Sequence, residues 1–379
     1  MQFTPTVLTE EHLQLRWQVR DFLAQELPPG SYRPGLGMAG GFDREFSRKL
    51  AGRGWLGMSI PQEYGGHGRT AVERFVVIEE LLAVGAPIGA HWVADRQTGP
   101  SILKFGTEEQ KRRFLPAICA GESSWSLGMS EPDSGSDLAS VRTAATRVEG
   151  GWLVNGTKVW TSGAHRNDQF AVLCRTSREA DRHAGLSQLI VDLRADGIEI
   201  RPIPFLDGSH HFNEVVLHDV FVPDDLVLGA VGSGWRQVTS ELAHERSGPD
   251  RYMSVHLLLE GYVRERVPDP VPDEVAAALG RLTARYWTIR QLSLSVAAAL
   301  DAGAVPAVEA SMVKDLGTVF EQEVVDVLST LDEEQPLLDG ESPYAQALAA
   351  SILAAPSYTL RGGTTEVLRG IVARGLGDR

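Results

Sequence analysis

The sequence predicts an α+β protein in which a small antiparallel β-domain lies between two helical regions. Three observations predict it. In the first third, Leu13, Trp17, Phe22 and Leu23 fall near helical spacing. From about Gly121 to Gly229 the pattern changes to short alternating runs punctuated by Gly, Asp and Pro. After Gly229 the helical period returns and holds to the end. The expected division is residues 1–120 as an N-terminal helical domain, 121–228 as the β-domain and 229–379 as a C-terminal helical bundle.

The elements follow in order. A first helix is stopped by Pro28-Pro29-Gly30, since proline removes a donor and glycine frees the backbone. A second covers 43–53 and ends at Gly54; a third covers 73–84 and ends at Gly85. Thr107 can cap a fourth, with Glu108 and Glu109 at the positive end of the helix dipole. Strands are expected over 144–148, 152–154, 170–173, 187–192, 198–200 and 213–217. The Ala- and Leu-rich segments 272–301 and 305–331 have the length and boundaries of antiparallel bundle helices. Residues 61–68 read as a turn, His210-His211 as a polar turn, and Asp332-Glu333-Glu334 as a solvated loop.

Composition narrows the functions. The chain has 379 residues, 43% of them hydrophobic, enough for a substantial core. A formal net charge of -14 excludes a general nucleic-acid binder, which needs a basic footprint, although a few arginines could still hold a phosphate. The two cysteines, Cys119 and Cys174, make no disulfide framework and no metal cluster. A reducing, cytoplasmic setting and no bound metal are therefore expected. The first ten residues lack a basic, apolar leader, and no stretch is long and apolar enough to span a membrane.

Four segments carry chemistry. Residues 127–137 read LGMSEPDSGSD, 158–163 read KVWTSG, 212–223 read FNEVVLHDVFVP, and 362–367 read GGTTEV. Together and in this order they resemble the acyl-CoA dehydrogenase family, and the resemblance covers nearly the whole chain. It implies a helical domain, a β-domain and a four-helix bundle, with FAD held where the β-domain meets the bundle. It also implies that Met129, Ser130, Gly135, Ser136, Trp160, Thr161, Ser162, Thr364 and Glu366 serve the flavin. Trp160 is expected against the ring and Thr161 at its N5 edge; Ser136 lies by the flavin phosphate or the CoA pantetheine.

The implied reaction is α,β-dehydrogenation of an acyl-CoA. It needs a base for the α-proton and a hydride acceptor, and the acceptor is the cofactor. Many relatives carry the base just before the Gly-Thr of the C-terminal turn, where this chain has Gly362. A second class carries a Glu before an Arg on a helix, and here residues 234–246 offer Glu245 and Arg246. Neighbours on a helix point about 100° apart, so each can serve a different part of the ligand. The resemblance assigns Glu245 as base, with Ser136, Arg246 and Gly362 on the acyl-CoA side. A solvated, ion-paired Glu245 is the competing reading. The GGTTEV turn is similar to that of dehydrogenases acting on steroid side chains, which points to a bulky acyl group.

Two further functions compete: a flavin oxidase or monooxygenase on the same fold, and a subunit that mainly completes a partner's site. The usual electron acceptor is an electron-transfer flavoprotein. In homotetrameric relatives a neighbouring subunit supplies an Arg-x-x-Phe-Gly segment and a Gln-x-x-Gly-Gly loop to each flavin. The corresponding regions here, 263–270 and 335–340, read VRERVPDP and QPLLDG and lack the Phe-Gly and the paired glycines. A second, related acyl-CoA dehydrogenase chain in an α₂β₂ assembly is therefore expected, with a homo-oligomer as the alternative.

Overall fold

The computed structural model describes residues 1–37 and 40–377, with the side chains of 242–245 excluded. In chain order the helices are α1 (Glu10–Glu26), α2 (Arg44–Gly52), α3 (Ala71–Ala83), α4 (Gly99–Phe105) and α5 (Glu108–Cys119). After the β-domain come α6 (Gly234–Glu245), α7 (His256–Glu265), α8 (Asp273–Asp301), α9 (Ala307–Leu331), α10 (Pro343–Tyr358) and α11 (Thr365–Gly375). The strands are β1 (Trp125–Gly128), β2 (Ala144–Val148), β3 (Gly151–Ser162), β4 (Gln169–Arg175), β5 (Leu186–Asp192), β6 (Ile198–Pro204), β7 (His210–Pro223) and β8 (Val227–Leu228). The predicted order of helices, then β-structure, then helices is what forms.

The chain divides into two compact units. One comprises residues 42–69 and 88–242, the other 1–41, 70–87 and 243–379. In the first, one sheet runs in the order β6-β7-β3-β2-β4-β5-β8, with β1 paired parallel to β4. Side chains alternate across a strand, and β5 shows the consequence. Leu189 and Val191 join a core with Phe170, Val172, Val215 and Val222, whereas Ile190 faces the other way, onto Leu115, Ile118 and Trp125. The Thr107 cap forms as expected: its hydroxyl accepts the Gln110 N–H, and the Gln110 side chain returns to the Thr107 N–H.

The second unit is helical. Its buried charges explain how α3 packs with α1 and α8. The Arg290 guanidinium donates to both oxygens of Glu79, at 2.6 and 2.9 Å, and Arg16 donates to the same carboxylate at 2.8 Å. Asp301, at the end of α8, caps α3 by accepting the Ala71 and Val72 N–H groups at 2.6 and 3.1 Å.

Two expectations are corrected here. His210 and His211 begin strand β7 and are not a turn; the chain reverses over 205–209, where Gly208 takes a positive φ. The 332–334 run is not simply solvated. Asp332 is largely buried and accepts two bonds from Arg266, at 2.7 and 2.8 Å, and Glu334 pairs with the same guanidinium. Among the described residues, no helix is long and apolar enough to cross a membrane.

Candidate active site

In the β-domain, the 127–137 segment and strand β3 are joined by a break in the sheet. β3 and β7 pair up to Lys158, with one register shift between Val154 and Gly156, then lose register again until Thr161 meets Asn213. In the gap, the Val159 N–H turns away from β7 and donates to the Ser130 carbonyl at 2.9 Å. The next residue, Trp160, takes φ +58° and is 56% exposed. The left-handed region costs a side-chain-bearing residue about 1–2 kcal/mol, so this conformation is held by its surroundings. Thr161 then re-enters the sheet fully buried, and its hydroxyl oxygen has no hydrogen-bond partner within the described chain.

A buried ion pair fastens the loop at this break. Lys158 Nζ is 2.8 Å from Glu131 and donates to the Met129 carbonyl at 3.1 Å. The Glu131 carboxylate also accepts the Arg142 and Thr143 N–H groups, at 2.7 and 2.8 Å. Burial alone would push the Glu131 carboxyl up; the Lys158 ammonium and the hydrogen bonds outweigh it and hold it below the usual carboxylate range. Sequence reading missed both residues. The available signal was a lysine at an inward position of a strand, which only a buried partner can satisfy.

The remaining residues in this unit are placed as follows. Met129 and Ser130 are half-buried, and their carbonyls are the acceptors just described. Gly135 and Ser136 are exposed, and a Cβ built on Gly135 would meet nothing in this chain. Ser162 is half-buried, its carbonyl accepting from the Ser126 hydroxyl at 2.7 Å. Asn213, wholly buried, donates to the Thr161 carbonyl at 3.0 Å and closes the break. Trp160 rests edge-on against Phe212, with ring centroids 5.9 Å apart.

In the helical unit, the turn at 362–363 is gripped from several sides. Gly362 and Gly363 have φ of +68° and +102°. Arg246 Nε donates to the Gly362 carbonyl at 3.2 Å, and the buried Lys314 ammonium donates to the Gly363 carbonyl at 2.7 Å. Arg361 is anchored to Glu321 at 2.6 Å and to Ser254 at 2.9 Å. Thr364 caps α11 by accepting the Val367 N–H at 3.4 Å. Glu366 is exposed in the first turn, and hydrogen bonds from its own N–H and from Thr364 hold its carboxyl below the usual range. Glu245 ends α6, directly before Arg246; its side chain lies outside the described residues. Sequence reading also missed Lys314, as a single lysine within a long helix gives no local sign of burial.

The chain matches three family descriptions in order: acyl-CoA dehydrogenase N-terminal domain over residues 9–122, middle domain over 126–220 and C-terminal domain over 232–377. The chain belongs to the acyl-CoA dehydrogenase family. It is 36% identical over 335 residues to the acyl-CoA dehydrogenase FadE34 of Mycobacterium tuberculosis, covering 86% of this chain and 45% of that protein. The chain thus spans less than half the length of that relative. Among solved structures it is similar to the Tcur3481-Tcur3483 steroid ACAD, at 30% identity, a TM-score of 0.85 and 98% of each chain covered. It is also similar to a chain of the ChsE4-ChsE5 complex from Mycobacterium tuberculosis, at 28% identity, a TM-score of 0.84 and 99% of each chain covered.

Acyl-CoA dehydrogenases are FAD-dependent oxidoreductases. Residues of this acyl-CoA dehydrogenase fit such a group in two respects. The buried Thr161 hydroxyl lacks a hydrogen bond, an arrangement that costs about 1–3 kcal/mol unless a ligand supplies one. The absent Cβ at Gly135 answers to no packing within the chain, which leaves its backbone open to close approach.

Proposed function

We propose that this chain catalyses α,β-dehydrogenation of an acyl-CoA thioester, with Glu245 as the base that removes the α-proton. The observation that carries the reading is the break in the β3–β7 ladder, which turns Trp160 outward and leaves the buried Thr161 hydroxyl unpartnered. Bound FAD supplies the hydride acceptor for the β-hydrogen.

The chain's own residues supply binding, orientation and the base. Met129, Ser130, Gly135, Ser136, Trp160, Thr161 and Ser162 bind the flavin from the β-domain, and Thr364 and Glu366 from the C-terminal turn. Ser136, Arg246 and Gly362 serve the acyl-CoA. Arg246 has a second duty, since its bond to the Gly362 carbonyl helps to fix the turn. Position 362 bears no side chain, so the α-proton must be taken from elsewhere; the helix-borne Glu245 supplies the carboxylate.

The test is Glu245→Gln, which keeps size and removes basicity. Flavin reduction by acyl-CoA should fall roughly 10²–10⁴-fold with FAD retained. A near-normal rate would reject Glu245 as the base.

A bulky, steroid-like acyl group is supported by the 30% identity to a steroid ACAD, and an acyl-CoA panel with an artificial acceptor tests it. Electron-transfer flavoprotein is the proposed acceptor; rapid oxygen consumption would favour an oxidase instead. A second, related chain in an α₂β₂ assembly is supported by the likeness to the ChsE4-ChsE5 complex and by the missing Phe-Gly and Gly-Gly segments. Arg266, in the first of those regions, is engaged by Asp332 and Glu334 of its own chain. Purification alone with one FAD per chain would overturn the hetero-oligomer.

A further inference from the structure

We infer that Arg251 disarms any carboxylate at position 362 and so keeps the base on α6; this rests on the reading of Glu245 as that base. A Cβ built on Gly362 would lie 3.3 Å from the Arg251 guanidinium carbon and Nη2, and 3.4 Å from Nη1. The fork of the guanidinium therefore lies in close contact with the start of any residue-362 side chain.

Both parties are held in place. Arg251 is fully buried, and its Nε lies 3.0 Å from the Asp250 carboxylate, itself buried. Its backbone is pressed onto α9: a Cβ on Gly317 would come within 2.5 Å of the Arg251 carbonyl oxygen. On the other side, Arg246 and Lys314 hold the carbonyls of Gly362 and Gly363. An apolar side chain at 362 would press against the guanidinium. A carboxylate there would be drawn into an ion pair with it, and pairing with a cation lowers a carboxyl pKa and weakens it as a base. The turn thus weakens any base at 362 by electrostatics.

The test uses the FAD-loaded enzyme in its native assembly. Gly362→Glu is made in the parent and in Arg251→Gln, and thermal unfolding is measured for all four proteins. Backbone strain from the positive φ is common to both backgrounds and cancels. Gly362→Glu should lower the unfolding temperature less when Arg251 is present than in Arg251→Gln; an equal or greater loss overturns the inference. In single-turnover flavin reduction, Glu245→Gln/Gly362→Glu should stay within about threefold of Glu245→Gln, and adding Arg251→Gln should raise the rate roughly tenfold or more. Recovery with Arg251 intact, or no gain on its replacement, overturns the inference. A normal rate in Glu245→Gln alone would instead reject the base assignment, while the unfolding comparison still decides whether Arg251 claims position 362.

Discussion

The Lys158 ammonium lies 2.8 Å from the Glu131 carboxylate, and the lysine side chain is wholly enclosed. This pair ties the 129–131 loop to β3 just before the strand leaves the ladder. Removing one partner of a buried pair leaves the other charge uncompensated, at a cost of about 3–5 kcal/mol. Lys158→Met should destabilise the protein by that order in urea unfolding. It should also loosen the loop, so FAD affinity falls with stability. Unchanged unfolding in Lys158→Met would show that the pair does not organise the loop.

Thr161→Val tests the unpartnered hydroxyl. Valine has the same shape and no donor, so no hydrogen bond within the described chain is lost. Flavin-free protein should keep its stability or gain up to about 1 kcal/mol, because an unsatisfied buried polar group is removed. FAD affinity, followed by fluorescence titration, should drop roughly tenfold for one lost hydrogen bond. A marked loss of stability without flavin would contradict this account.

Trp160→Gly separates backbone strain from ring contact. Glycine adopts φ +58° freely, so relief of about 1 kcal/mol should offset the lost edge contact with Phe212. Thermal unfolding of the flavin-free protein should change little, while the visible flavin spectrum should shift. If the spectrum is unaltered, Trp160 does not lie against the ring.

Acid should weaken the protein at Asp168. Burial alone would raise this carboxyl; hydrogen bonds from Arg44, at 2.8 Å, and from the Ser124 N–H and hydroxyl outweigh it and hold the pKa at about 2. The unfolded value is about 3.9, so the unfolded chain binds the proton first as pH falls. The stabilisation is complete above about pH 5 and is lost as pH drops through 4 toward 2, about 2 kcal/mol in all. Unfolding free energies measured from pH 6 to pH 2 should fall less steeply in Asp168→Asn. Parallel curves would assign the acid sensitivity to other carboxylates.

The sequence by itself determined the order of the elements, because helical and alternating periods are local and survive without tertiary information. The Thr107 capping box and the helices at 273–301 and 307–331 follow from such local signals. So does the place of the 158–163 and 362–367 segments on β3 and on the final turn. Tertiary structure alone decided which elements meet. It put α3 with the C-terminal helices through Glu79 and Arg290, which are 211 residues apart in sequence. It enclosed Lys158 with Glu131, and it set Arg251 against Gly362. It also made His210 and His211 part of a strand, since pairing with β6 and the turn at 205–209 fix where β7 begins. Local pattern states which face of an element is apolar. Which distant charge or glycine comes to lie against that face depends on packing the whole chain at once, and no short window of sequence contains it.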